Sequence, residues 1–158
     1  MNWGQRFIVA SIAAAAAAAA SVNVHAAEKT ITRAQLPAAV EKTVAAQSQG
    51  ATIKGFSTEV EAGRRIYEMQ LVVDGHGRDI SMDQHGEILE IEDEVALSSL
   101  PAAVQDGLKH AAGSGTITRV ESLTRKGTLV AYEAVVRRGT RRAEIQVGPD
   151  GRALTHPE

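Results

Sequence analysis

The chain contains no cysteine. That absence excludes disulfides, thiolate metal sites and the acylated cysteine of a lipoprotein. Aromatic residues make up only 3% of the sequence, and the sole tryptophan, Trp3, lies in a segment read below as a leader. A recognition surface built on aromatic anchors is therefore poorly provided for. Also missing are the His-Glu-x-x-His, Gly-x-Ser-x-Gly and P-loop signatures that place a base beside a metal, a nucleophile on a strained turn or amides around a phosphate. Ser98 and Ser99 stand beside a helix start, where hydroxyls serve as caps. The expectation is a protein that is not an enzyme, with no catalytic residue, metal or cofactor. The 17 basic and 19 acidic residues are near balance, which leaves no nucleic-acid footprint.

Residues 1–26 have the parts of a secretory leader: Arg6 as the only charge, an apolar stretch from Phe7 to Val24, and Val24-His25-Ala26 before the cut. The apolar stretch is mostly alanine and falls short of the ~20 strongly apolar residues that span a bilayer. Cleavage after Ala26 is expected, with a periplasmic or secreted product and no stable membrane insertion afterwards. Of 158 residues, removing 26 leaves 132, enough for one compact body or two very small ones. With no disulfide to staple it, that body must be held by its core.

The remaining sequence matches itself. Leu36-Pro37-Ala38-Ala39-Val40 recurs letter for letter at Leu100-Pro101-Ala102-Ala103-Val104, and Val44 falls on Leu108 at the same offset of 64. Tyr67-Glu68 falls on Tyr132-Glu133 at 65, Asp79-Ile80-Ser81-Met82 on Glu144-Ile145-Gln146-Val147, and Gly86 on Gly151. Such a self-match predicts two tandem copies of one unit, residues 27–95 and 96–158. Each copy opens with a helix: Pro37 and Pro101 suit a first turn, where a missing N–H costs nothing. Leu36, Val40 and Val44 repeat every four residues, as do Leu100, Val104 and Leu108, giving one apolar stripe per helix.

Strand signals follow. Thr52 to Val60 and Thr116 to Thr124 are rich in β-branched residues, and Gly63 and Gly127 mark turns. In Tyr67-Glu68-Met69-Gln70-Leu71-Val72-Val73 the odd positions are all apolar, a period of two that sends Glu68, and Glu133 in the second copy, to the opposite face. Hairpin turns at Asp74-Gly75-His76-Gly77 and Gly139-Thr140 lead to third strands. Further turns at Asp83-Gln84-His85-Gly86 and Gly148-Pro149-Asp150-Gly151 lead to fourth strands near Ile88 to Ile91 and Arg152 to His156. The predicted fold is α+β: two repeats, each a helix followed by a four-stranded antiparallel sheet. A unit of about 60 residues buries only ~60% of its unfolded surface and is marginal alone, so the copies are expected to pack into one cooperative body.

This order of motifs, an LPxAV helix start, a YE strand, a glycine hairpin and a D-x-x-G turn, resembles the PepSY-like family, which is described as similar in fold to the β-lactamase inhibitor protein. The resemblance covers nearly all of the chain after residue 26. It implies an exported non-catalytic domain, since related domains occur in peptidase propeptides, where they restrain or chaperone the peptidase. The partner implied is another exported protein, such as a peptidase. The inhibitor itself grips its target with an aromatic-rich concave sheet, whereas Phe56, Tyr67 and Tyr132 are the only aromatics after the leader, so that binding mode is not implied.

Charge separates the halves. Residues 27–95 carry 13 acids and 7 bases, net −6, and residues 96–158 carry 6 acids and 9 bases, net +3. Acids concentrate at Glu87, Glu90, Glu92, Asp93 and Glu94, and bases at Arg137, Arg138, Arg141 and Arg142 around one hairpin tip. Four guanidiniums can hold carboxylates or phosphates in bidentate fashion. Together with Glu68 and Glu133 they form the expected partner-binding set. Two plainer readings stand beside it: a solvated hairpin whose arginines discourage edge pairing, or an acidic run that pairs with the tip inside the molecule. His76 and His85, with Asp74, Asp79 and Asp83 nearby, invite a zinc reading, but residues of polar turns tolerate unusual backbone angles, and one strand of about seven residues would hold the turns ~20 Å apart. An envelope sensor of a small ligand or ion, using the arginine tip or these histidines, is the alternative function.

Overall fold

The computed structural model describes residues 28–154 and 156. The chain runs β1 (Lys29–Ile31), α1 (Ala38–Gln47), β2 (Thr52–Glu61), β3 (Arg64–Val73), β4 (His76–Asp83), β5 (Ile88–Glu94), α2 (Ala102–Ala112), β6 (Thr116–Arg125), β7 (Thr128–Arg138) and β8 (Arg141–Val147), with single 3-10 turns before each helix. The expected leader lies outside the described residues. Among them, no helix is long and apolar enough to cross a membrane.

All eight strands form one antiparallel sheet in chain order. This corrects the expectation of two separate four-stranded sheets. The last strand of the first half and the first of the second pair directly, from Glu90↔Arg125 to Glu94↔Glu121. Among the described residues the second half contributes three strands, and where a strand was expected over Arg152 to His156 they form one bridge, between Val147 and Ala153. In that stretch the adjacent apolar residues Ala153 and Leu154 break the period-two alternation of a half-buried strand. The short β1 beside β2 was not anticipated.

Local chemistry explains the element boundaries. Pro37 and Pro101 stand immediately before the helices in extended conformation, and their carbonyls accept the first helical bonds, from Glu41 at 2.9 Å and Gln105 at 3.0 Å. α2 is followed by Gly113, whose N–H bonds the Lys109 and His110 carbonyls and whose positive φ of 56° turns the chain out of the helix. Three hairpins use two-residue turns with both central residues at positive φ, as at Asp74-Gly75, the geometry that matches strand twist.

Both helices lie on the same face of the sheet. Val40 and Val44 of α1 bury with Phe56, Tyr67, Met69 and Ile80, while Val104 and Leu108 of α2 bury with Val120, Ala134 and Val147. Each wholly buried Val or Leu is worth about 1.5–3 kcal/mol. The two apolar clusters do not merge. On the helix side of the β5–β6 seam the cross-strand pairs are Ile91↔Thr124 and Asp93↔Ser122, so the halves are joined by backbone ladder and polar side chains.

Candidate functional site: the sheet face opposite the helices

Alternation along each strand sets what this face carries. Met69, Ile80 and Ile91 are cross-strand neighbours on the helix side, so Gln70, Asp79 and Glu92, paired one residue away, project to the other. Glu68 and Glu133 lie there too, opposite Ser81 and Gln146 respectively. The Glu90-x-Glu92-x-Glu94 pattern puts three carboxylates of β5 on it. Register then brings β6 alongside with Arg119, Glu121, Leu123 and Arg125.

The face has a charged but dry centre. Glu92, Glu121 and Glu133 are only 5%, 4% and 8% exposed, and Leu123, Ala131 and Val135 are buried beside them. Solvent-exposed polar side chains are therefore confined to its margins. Carboxylate oxygens of Asp79, Glu92 and Glu121 lie within 4.8 Å of one another, a grouping that needs a counter-charge. Arg119 supplies it: its guanidinium bonds Glu121 and sits 3.7 Å from Asp79. Burial works against the charged form of Arg119, yet the Glu121, Asp79 and Glu94 carboxylates outweigh it and raise its pKa. On the neighbouring positions Arg125 Nε donates to Glu90 at 2.7 Å, and Gln146 Nε2 to Glu133 at 2.8 Å.

The acidic run at the junction is thus neutralised locally and not by the arginine tip. Besides the Glu90–Arg125 bond, Asp93 pairs with Arg78, and Glu94 accepts the Gly77 N–H at 3.0 Å. The Arg119–Asp79 and Arg125–Glu90 contacts cross from β6 to β4 and to β5 respectively, so charge stitches the seam that the apolar clusters leave open.

Burial, and then the charge of Glu92, push the Glu90 carboxyl above its ordinary value, with Arg125 opposing. The sign follows: a native pKa above the unfolded value means that the folded state binds the proton more tightly. The contribution of Glu90 to stability is full below pH 4.5, the ordinary value, and is lost as pH rises through the native pKa. Glu90→Gln, which stays neutral, is expected to flatten this decline and to raise the urea midpoint at pH 7. Urea unfolding between pH 4 and pH 8 checks it, and an unchanged pH profile would refute it.

The four arginines of the tip do not converge. Arg137 pairs across the hairpin with Arg142, and Arg138 with Arg141, so alternation divides them between opposite faces. Arg137 and Arg142 share the face of Glu133, and Arg142 is 3.8 Å from Glu144. Arg138 turns to the helix side and donates to the Ala112 carbonyl at 2.8 Å, placing a cation at the C-terminus of α2, where the helix dipole favours it. His76 begins β4 and His85 lies in the turn after its end, so a whole strand separates them. His85 N–H and Glu87 N–H both bond Asp83 Oδ1, which makes Asp83 the organiser of that turn.

Sequence reasoning missed the Arg119 network. Its signal was the alternation of Glu90, Glu92 and Glu94 together with Arg119-x-Glu121, which becomes meaningful only once β5 and β6 are known to be neighbours.

The described residues form an α+β fold of two helices on one face of an eight-stranded antiparallel meander, which defines the class. Among solved structures the chain is similar to a BLIP-like protein from Bacteroides fragilis, with a TM-score of 0.55 at 19% identity over 75% of this chain and 83% of that one. It is also similar to a DUF2874 family protein from Bacteroides ovatus (TM-score 0.59, 14% identity, 77% of this chain and 86% of that one). A third is a candidate periplasmic protein from Bacteroides eggerthii (TM-score 0.61, 16% identity, 75% and 86%). The fold is the one shared by BLIP-like proteins. No family model matches the sequence, and no curated protein does.

Proposed function

We propose that this chain is an exported, non-catalytic interaction module of the PepSY-like type, built from two tandem copies, which docks on another envelope or secreted protein, such as a peptidase, and modulates it. The observation that carries this reading is the sheet face itself. Both described helices pack on the other side, leaving eight strands of side chains set by register, with a charge-stitched centre and a margin that includes Glu68, Gln70 and Arg137. A rigid sheet of this kind offers position-fixed charges for specificity without chemistry of its own. The leader-like residues 1–26 support export, and the candidate periplasmic description of the Bacteroides eggerthii neighbour agrees with a periplasmic or secreted location.

The test is capture from a periplasmic fraction by the chain and by its Glu68→Lys/Gln70→Lys variant, followed by a peptidase assay on what is recovered. Expected is one partner, held more weakly as salt rises and lost with the variant. Capture that ignores the variant would remove docking from this face. A melting temperature that climbs with a small ion or ligand, and no captured protein, would instead favour the sensor reading, because a ligand of the native state stabilises in proportion to its concentration.

A further inference from the structure

β8 is the last strand of the sheet, and among the described residues its outer edge is filled at one position only, where Ala153 bridges Val147. The first half shows what belongs there. β4 is flanked by β5 over the pairs Arg78↔Asp93, Asp79↔Glu92, Ile80↔Ile91, Ser81↔Glu90 and Met82↔Ile88. The Val147–Ala153 bridge stands where Met82↔Ile88 stands, 65 residues on, and the remaining positions along β8 have no strand beside them among the described residues. The opposite edge, β1, has three residues, against seven in β8. β8 is free of proline and pairs with β7 without a bulge, so its edge is straight enough to accept another strand.

We propose that the occupant of this edge is β8 of a second copy, paired antiparallel about Ala143 to give a continuous sixteen-stranded sheet. Charge selects both the occupant and the register. Arg142 and Glu144 share one face of the strand. Centring the pair on Arg142 sets Arg142 against its own copy, and centring on Glu144 sets two carboxylates opposite each other; like charges directly opposite are destabilising. Centring on Ile145 requires Val147, whose outer side Ala153 already holds. Centring on Ala143 sets Arg142 opposite Glu144 of the second copy, and does so twice because the axis is two-fold. On the helix side the same register lays the stem of Arg141 over Ile145 of the second copy, and the exposed Ala143 residues meet at the axis. The arginines, which in isolation deter edge pairing, thereby become the groups that fix one register. This inference is independent of docking on the open face.

Sedimentation equilibrium of the purified chain tests it. A concentration-dependent dimer is expected, with a dissociation constant that rises with salt. Glu144→Arg and Arg142→Glu should each weaken it by about tenfold or more, because each turns two favourable cross-strand pairs into two repulsive ones. The double variant Arg142→Glu/Glu144→Arg should return to within about threefold of the original. Thermal melting confirms that each variant is folded, and the salt series on the unaltered chain needs no variant. A monomer at millimolar concentration, a dimer indifferent to salt, or a dimer that Glu144→Arg leaves unchanged would overturn the proposal.

Discussion

Arg119→Ala removes about 3–5 kcal/mol of unfolding free energy, the cost of leaving a buried charge uncompensated. The guanidinium bonds Glu121 and lies 3.7 Å from Asp79, within a cluster of the Asp79, Glu92 and Glu121 carboxylates, two of which are almost wholly buried. Deleting it leaves like charges within 4.8 Å in a setting where water screens little. Measured against a domain stability of about 5–15 kcal/mol, the loss is large enough to unfold a marginal protein. Arg33→Ala is the control. Arg33 bonds Glu41 at 2.6 Å with both side chains substantially exposed, and removing an exposed pair that solvent screens should leave stability almost unchanged. Urea unfolding at pH 7 separates the two. Equal effects of the two variants would show that the network is surface decoration.

The contrast between those arginines marks how much could be read from the sequence. What was legible was local or periodic. Pro37 and Pro101 announced the helices, the Tyr67 to Val73 alternation announced a half-buried strand, and Asp74-Gly75 announced a hairpin. The offset of 64 to 65 residues located the corresponding elements of the second half. What was not legible depended on pairing between segments far apart in the chain. β5 and β6 each read as strands at the boundary of a unit, and nothing in either stretch states that one is the other's neighbour. The single sheet, the buried Arg119 cluster and the local neutralisation of the acidic run all follow from that one pairing. The arginine tip failed for a related reason. Six consecutive residues suggested one cationic patch, but a hairpin turns consecutive arginines to alternate faces, which sends Arg138 to the end of α2. Fold class was therefore open to periodicity, whereas the electrostatics of the candidate face required the register.

The second large effect is expected at glycines that let the sheet turns reach the helices. Gly151 has φ +80°, and a methyl group there would come within 2.1 Å of the Ala103 carbonyl oxygen and 2.4 Å of its carbon. Gly86, at φ +77°, would meet the Ala39 carbonyl oxygen at 2.5 Å and Thr43 Oγ1 at 2.8 Å, and Thr43 bonds the Gly86 carbonyl at 2.7 Å. The nearest obstacle in each case is a backbone carbonyl, which cannot rotate away. Gly151→Ala should cost about 3 kcal/mol or more, the left-handed strain of roughly 1–2 kcal/mol adding to a forced helix shift. Gly63→Ala isolates the first term. Its φ is +77° with nothing within 4 Å, so it should lose only about 1–2 kcal/mol. Calorimetry of the three variants also tests how the halves are coupled. Gly86 and Gly151 make the same contact, each with the second alanine of its LPAAV segment, on two cores that do not merge. If the charged β5–β6 seam makes them one cooperative unit, Gly86→Ala and Gly151→Ala should each shift a single transition. Two separated transitions, with only the mutated half moved to lower temperature, would show that the seam's ladder and ion pairs are weaker than the cores they join.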